Sequence, residues 1–168
     1  MEKREFVVCY VPPKTRSWSL REYEEVLKDT EHSLIKILEK KRNTVIMGDF
    51  NCKEVHWEDM TTEGNEDSWG YTLLELTMEY TMTQWIQENT RFRNSEEPSR
   101  LDLLFTMEPE IVDGVEYKTP LAKSDHVLIV ATFKEVIKNE RNEKHRKGRL
   151  TYSKINFREL KDFFQKTD

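Results

Sequence analysis

The chain has 168 residues, of which 36% are hydrophobic and 35% are charged, and its net charge at pH 7 is -5. This length predicts one domain with a core of its own, whereas the negative charge argues against a chain-wide electrostatic grip on nucleic acid. The sequence contains no apolar run long enough to span a membrane and no segment that resembles a signal peptide, so we expect a soluble protein.

The two cysteines, Cys9 and Cys52, form no CxxC pair and no zinc-binding spacing. We therefore expect reduced thiols in an intracellular protein, located in the nucleus, the cytoplasm or both.

The first elements follow a strand, helix, strand order. The segment Glu5–Tyr10 is rich in β-formers and ends before two prolines, which predicts a strand. Ser19 and Glu22 have the spacing of a capping box, and apolar residues then recur at helical spacing to about Lys40. The segment Thr44–Gly48 predicts the next strand. Together these elements indicate neighbouring strands in one α/β layer.

That second strand leads directly into Gly48, Asp49, Phe50 and Asn51. A strand that delivers polar groups at its carboxyl end is where sites in α/β sheets are usually built, and here the first strand would bring Tyr10 close to Asp49. Asp49 can accept a proton or bind a metal, and Asn51 can bind a phosphate. Taken alone, the same residues also fit a solvated corner between strand and loop.

The middle of the chain alternates polar and apolar segments. Residues Cys52–Ser68 are polar and predict a long surface loop. An apolar stripe over Trp69–Tyr80 predicts a second helix behind Asp67 and Ser68 as caps, and Thr83–Ile86 predicts a brief strand.

Residues Glu88–Ser99 are polar again and carry Arg91 and Arg93 on either side of Phe92. These arginines could contact a DNA backbone, although a solvated turn is the better explanation of this cluster taken alone.

The last predicted strands bring further polar groups. The strand Arg100–Phe105 carries Asp102 among apolar residues, which predicts a partner for its charge. Ile111–Tyr117 predicts another strand, and Asp125 and His126 precede the strand Val127–Phe133. The histidine could instead cap this strand or satisfy a core contact.

The composition changes after Phe133. Residues Lys134–Arg149 are charged without an apolar period, which is typical of a linker, and a short helix with Phe157, Leu160 and Phe164 on one face follows. We therefore divide the chain into a domain over residues 1–133 and a charged linker with a terminal helix over residues 134–168.

Six residues at strand ends or in flanking loops suit metal-assisted phosphodiester hydrolysis, which needs a base, donors for developing charge and carboxylates for a hard cation. They are Tyr10, Asp49, Asn51, Asp102, Asp125 and His126.

Four ordered motifs carry a resemblance to a known family. Tyr-Val-Pro-Pro, Gly-Asp-Phe-Asn, Arg-Leu-Asp-Leu-Leu-Phe and Ser-Asp-His resemble, in this order, the carboxyl-terminal half of the endonuclease/exonuclease/phosphatase superfamily, which includes apurinic endonucleases and deoxyribonuclease I. Through Leu103–Glu110 and the charged tail, the sequence most resembles the endonuclease domain of non-LTR (LINE-type) retrotransposons.

The resemblance implies a role for each matched residue. Tyr10 would bind the scissile phosphate, and Asn51 would bind phosphate as well. Asp49 would position or deprotonate the attacking water. Asp102 would orient His126, which would stabilise charge in the transition state.

The resemblance also implies cofactors and partners. Asp125 would lie at or beside a metal ion, Mg²⁺ or alternatively Mn²⁺. The implied partners are DNA and a reverse transcriptase domain in the same polyprotein, with no membrane.

The chain departs from the family pattern at its start. The strands that supply an asparagine and the principal metal-binding glutamate in the superfamily have no counterpart here. We therefore expect a partial four-layer α/β sandwich, with one mixed sheet, flanking helices and most of the second sheet missing. Three functions stay open: an endonuclease with impaired or absent activity, a phosphatase of the same superfamily, and an inactive remnant or binding module.

Overall fold

The computed structural model describes residues 4–40, 44–94 and 96–134, all within the compact unit Met1–Glu135. The predicted linker and terminal helix lie outside the described residues, apart from Lys134. The helices are α1 (Leu20–Leu38) and α2 (Trp69–Glu79); the strands are β1 (Glu5–Tyr10), β2 (Thr44–Asp49), β3 (Val55–His56), β4 (Thr61–Thr62), β5 (Thr83–Gln84), β6 (Asp102–Thr106), β7 (Val112–Lys118) and β8 (Leu128–Phe133).

One mixed sheet organises the described part of the chain. Its strand order is β1-β2-β6-β5, with β1 and β2 parallel and the other neighbours antiparallel. Two antiparallel ribbons, β3–β4 and β7–β8, accompany it. The fold is therefore α/β with a mixed sheet and flanking helices, as the sequence predicts.

The sheet is covered differently on its two faces. Residues such as Ile46 and Phe105 point to the side of α1 and α2, where they form the larger apolar cluster with Leu34 and Leu73. On the opposite face, alternate residues of the same strands pack beneath the β7–β8 ribbon: Val45, Met47 and Leu104. The sheet thus lies between a helical layer and a two-stranded ribbon.

Capping side chains fix where both helices begin. The Ser19 hydroxyl accepts the Glu22 N–H, and the Glu22 carboxylate accepts the Ser19 N–H, so the predicted capping box is present at α1. At α2, the hydroxyl of Ser68 accepts the N–H of Tyr71. Within the described ranges, neither helix is long and apolar enough to cross a bilayer.

The segment Cys52–Ser68 is mostly exposed, as expected for a surface loop, but the expectation that it has no structure of its own is wrong. The segment contains the β3–β4 ribbon, and it contributes Cys52, Val55 and Trp57 to the larger cluster. The Trp57 ring stands edge-on to Phe105, with centroids 5.5 Å apart. A few buried anchors hold this polar segment on the core, and they are too sparse to produce a periodic signal in the sequence.

Gly48 allows β1 and β2 to approach each other just before the site. Its φ of +144° is rarely adopted by residues with a side chain, and an added Cβ would lie 1.8 Å from the carbonyl oxygen of Cys9. Only glycine fits between the strands at this position.

Candidate active site

Three of the predicted residues form a row across the sheet. Tyr10 on β1 is in register with Asp49 on β2, which is in register with Asp102 on β6. The alternation along the strands places this row on the same face as Val45 and Leu104, next to the β7–β8 ribbon. The predicted proximity of Tyr10 and Asp49 is confirmed.

Backbone hydrogen bonds tie the strand ends together beyond the row. The N–H of Val11 donates to the Asp49 carbonyl at 2.8 Å, and the N–H of Phe50 donates to the Leu101 carbonyl at 2.8 Å. Phe50 is fully buried, and its carbonyl accepts the indole N–H of Trp69. These hydrogen bonds therefore hold together the strand ends that carry the polar groups of the row.

Asn51 links the strands through its side chain and its backbone. It adopts a φ of +45°, which asparagine tolerates better than most residues. Its backbone N–H donates to the Asp49 carboxylate at 3.0 Å, and its Nδ2 donates to the Val11 carbonyl at 2.7 Å. Asn51 thus orients Asp49 and fastens the ends of β1 and β2.

His126 provides the expected partner for Asp102. The imidazole Nδ1 lies 2.8 Å from Oδ2 of Asp102, and both side chains are partly buried, with 28% of His126 and 23% of Asp102 exposed. The Ser124 hydroxyl accepts the His126 backbone N–H at 3.0 Å. Donation from Nδ1–H to the carboxylate leaves Nε2 available to another group of the site or to a substrate.

Thr90 is a supporting residue that sequence reasoning missed. It is fully buried, and its hydroxyl accepts the N–H groups of Leu101 and Asp102 at 3.1 and 3.0 Å. Its carbonyl accepts the N–H of Val127, one residue after the histidine. Thr90 therefore connects the backbones that carry Asp102 and His126. A single threonine in a polar segment gives no sequence signal for this role.

Asp125 lies beside His126 but faces two arginines. Its Oδ2 accepts from Nε of Arg91 at 3.1 Å and from Nε of Arg93 at 3.0 Å. The hydrogen bond from Arg91, aided by Arg93, holds the pKa of Asp125 below its usual value. The metal role of Asp125 and the DNA contacts of the arginines stay predictions.

Burial sets the protonation behaviour of Asp49. Desolvation raises the pKa of its carboxyl group and the negative charge of Asp102 adds to this, whereas the Asn51 N–H and the neighbouring His126 oppose it. A carboxylate with a raised pKa is a better proton acceptor than a solvated one.

Three side chains could hold a metal ion. Asp49, Asp102 and His126 each offer one ligand atom, and these atoms lie within 4.8 Å of one another. Proteins commonly bind Mg²⁺ through one or two carboxylates, with water and substrate phosphates completing the octahedron. The group therefore fits a divalent cation, and its carboxylate oxygens suit Mg²⁺ and Mn²⁺.

A cleft of about 1190 Å³ opens beside Asn51. Side chains of both charges line it, including Lys53, Glu54, Arg91 and Arg100. Tyr10, on the other side of Asp49 in the sheet order, has 65% of its surface exposed. Asn51 lines the cleft but Asp49, Asp102 and His126 do not, so the cleft adjoins the site through Asn51.

A family model described as endonuclease-reverse transcriptase matches residues 5–130, which are most of the chain and carry every candidate site residue. No curated protein matches the sequence.

The solved structures that are similar to this chain include a phosphatase and the endonuclease domain of a retrotransposon. The 3' phosphatase NExo from Neisseria, bound to a product DNA hairpin, aligns with a TM-score of 0.50 at 16% identity, over 68% of this chain and 54% of that chain. The endonuclease domain of TRAS1, a telomere-specific non-LTR retrotransposon, aligns with a TM-score of 0.46 at 21% identity, over 73% of this chain and 61% of that chain. The chain thus spans between half and two thirds of their length.

Proposed function

The chain belongs to the endonuclease-reverse transcriptase family, and from this membership and the site geometry we propose that it derives from a metal-dependent endonuclease that hydrolyses phosphodiester bonds in DNA. The observation that carries the proposal is the Asp102–His126 hydrogen bond of 2.8 Å next to Asp49, which lies in register with Asp102. This arrangement supplies a proton acceptor and an oriented imidazole side by side.

Each residue in the row has a chemical task in this proposal. Asp49 orients the attacking water and takes its proton, since its raised pKa makes it a competent base. His126 acts in its doubly protonated form, in which Nδ1–H is held by Asp102 and Nε2–H donates a hydrogen bond to an oxygen of the phosphate that gains charge in the transition state. Tyr10 and Asn51 bind the phosphate from the two sides of Asp49.

We propose Mg²⁺ or Mn²⁺ as the cofactor. One carboxylate oxygen of Asp49 and one of Asp102 accept hydrogen bonds from Asn51 and His126. The second oxygen of each residue would hold the ion, and Asp125 is the alternative ligand. When bound, such an ion neutralises charge on the phosphate oxygens and on the leaving group.

We expect only low activity from the 168 residues alone. The chain spans 54% and 61% of the two matched structures, so the residues that complete such a site in a longer protein need not all be present. In the proposed parent polyprotein, the nick in DNA would serve an attached reverse transcriptase as a priming site.

Nicking of a supercoiled plasmid in the presence of Mg²⁺ or Mn²⁺ tests the proposal. Asp49→Asn and His126→Ala are expected to lower the rate at least a hundredfold, which is the usual effect of losing an acid–base or electrostatic group. His32→Ala, on the exposed side of α1, is the matched control and should nick at the wild-type rate.

Equal nicking by wild type, Asp49→Asn and His126→Ala would refute the assignment. A second assay, phosphate release from 3'-phosphorylated DNA, tests the phosphatase alternative, because one matched structure is a 3' phosphatase. Phosphate release without nicking, lost in both variants, would favour that alternative. Absence of both reactions, in a longer chain as well, would favour an inactive binding module.

A further inference from the structure

The geometry points to Arg91 and Arg93 as positioning residues that hold the carboxylate of Asp125 and thereby fix His126 against Asp102. This inference rests on the proposed function, since the position of His126 matters for catalysis only if the imidazole acts in it. In this inference Asp125 supports the neighbouring His126, and the two arginines bind a carboxylate of the protein rather than DNA.

The ion pairs around Asp125 form a connected network. Oδ2 of Asp125 lies 3.1 Å from Nε of Arg91 and 3.0 Å from both Nε and Nη2 of Arg93. Glu96 binds the same arginines from the other side, at 3.2 Å from Nη1 of Arg91 and 3.3 Å from Nη1 of Arg93. Two guanidinium groups thus lie between two carboxylates.

Backbone contacts carry this network directly to the histidine. The N–H of Phe92 donates to the Asp125 carbonyl at 2.7 Å, and Arg91 forms a β-bridge with His126. A second bridge joins Arg91 to Ser99, with hydrogen bonds in both directions at 3.0 and 3.1 Å. The turn that follows Thr90 therefore pairs with the residues on which the imidazole stands.

Arg91 is suited to this task by its shape. Only 18% of its side chain is exposed, and its planar guanidinium group binds Asp125 through Nε and Glu96 through Nη1. A lysine has a single point of charge and cannot hold both carboxylates in this geometry. A DNA phosphate would have to displace two carboxylates from Arg91, which weakens the case for a DNA contact at this residue.

The orientation of the imidazole can be read without any substrate. Imidazole ¹⁵N chemical shifts distinguish the Nδ1–H tautomer from the Nε2–H tautomer, and His126→Asn identifies the signals among the four histidines. For the neutral imidazole of the wild-type chain we expect the Nδ1–H form, with its proton donated to Asp102. In the double variant Arg91→Gln/Arg93→Gln we expect a mixture of both tautomers.

Arg21→Gln is the matched control, because it removes an exposed arginine that pairs with Glu25 on α1. It should leave the His126 signals unchanged. A folded double variant with the wild-type tautomer would overturn the inference. If the double variant does not fold, Arg93→Gln and Asp125→Asn decide in the same way, because the Arg93 side chain is 55% exposed and the asparagine keeps the shape of Asp125.

In a chain that nicks DNA, kinetic measurements distinguish a positioning role of the two arginines from direct binding of DNA by them. A positioning role predicts that the double variant loses about tenfold to a hundredfold in kcat, while DNA affinity and its salt dependence stay unchanged. Direct binding of phosphates predicts the reverse, with a salt slope that falls by about 0.9 for each phosphate that the variant no longer neutralises. Unchanged kcat with a reduced slope would overturn the inference. Because the tautomer is measured without DNA, failure of the positioning role can be distinguished from failure of the proposed nuclease function.

Discussion

Asp49 combines burial with a place in the centre of the row between Tyr10 and Asp102, and this combination has a measurable consequence for stability. Because desolvation is the largest influence on its carboxyl group, the folded state raises the pKa of Asp49. The unfolded chain has a pKa near 3.9 at this residue. At a pH between the pKa of Asp49 in the unfolded chain and its higher pKa in the folded state, the folded state binds more protons than the unfolded state. The contribution of Asp49 to stability therefore falls as the pH rises through this range and is constant above it.

We therefore predict that Asp49→Asn makes the metal-free chain more stable at pH 7 and not at pH 3. The asparagine side-chain oxygen can still accept the Asn51 N–H, while the cost of burying a charge disappears. Thermal melts in EDTA across pH 3–8 measure the effect. Asp113→Asn, on an exposed position of β7, serves as the control and should follow the wild-type curve. A variant less stable than wild type at pH 7 would contradict the prediction.

Thr90 yields a second prediction at the scale of single residues. Thr90→Val keeps the shape of the side chain but leaves the N–H groups of Leu101 and Asp102 without their acceptor. We expect a loss of about 1–3 kcal/mol in the free energy of unfolding, measured with urea. Thr90→Ser should retain most of the stability because it retains the hydroxyl group.

Thr77→Val is the control for this substitution. Thr77 is also buried, but its hydroxyl donates to a carbonyl within α2, so its loss orphans no N–H group. A loss of stability in Thr77→Val as large as that in Thr90→Val would show that buried threonines matter here only through packing.

The sequence reveals some residues of the site better than others, for physical reasons. The partner of Asp102 could be predicted because a carboxylate among apolar residues needs compensation, and His126 provides it. The role of Thr90 depends on backbone N–H groups that no side-chain pattern records. The arginine partners of Asp125 are likewise hidden, since their ion pairs join residues far apart in the chain.

At the scale of elements, the close approach of β1 and β2 sets the geometry of the site. Gly48→Ala would place a Cβ within 1.8 Å of the Cys9 carbonyl oxygen and impose strain at a φ of +144°. We predict a loss on the order of 3 kcal/mol or more in unfolding free energy. Urea or thermal unfolding measures it.

Gly114→Ala on β7 is the matched control, since an added Cβ there meets nothing within 4 Å. Alanine is less costly than glycine in a strand, so this variant should be neutral or slightly more stable. Equal losses in the two variants would mean that the closeness of β1 and β2 is not what makes Gly48 necessary.

The elements themselves follow from sequence to different degrees. β1, α1, β2 and β8 have strong periodic patterns, caps or prolines, and their predicted bounds agree with the structure to within two residues. The β3–β4 ribbon has strands of two residues each, too short for any periodicity to build up. Its burial depends on contacts with Phe105 and the helices, which local sequence does not contain.

For the whole molecule, the metal is the property that most needs measurement. If Asp49 and Asp102 hold the ion, Mn²⁺ should raise Tm by roughly 5–10 °C at a hundred times its Kd, and Mg²⁺ should act at higher concentration. EDTA should reverse the shift. Asp102→Asn should remove it, whereas Asp125→Asn should preserve it.

The opposite pattern, with the shift lost in Asp125→Asn alone, would favour the metal role that family resemblance implies for Asp125. No shift in the wild-type chain would mean that the proposed ligands do not bind a metal by themselves. Family membership and the α/β fold are settled by the match over residues 5–130 and by the mixed sheet, so this experiment concerns the chemistry alone.

The row of Tyr10, Asp49 and Asp102 also has a consequence for how the protein folds. Its members come from three strands that are distant along the chain, so the row exists only after two long loops have closed. Closing such loops costs entropy before native contacts compensate for it, which makes the site a late product of folding. Isolated local segments cannot form it. During synthesis, any reactivity of this row must therefore wait until β6 has left the ribosome and joined the sheet.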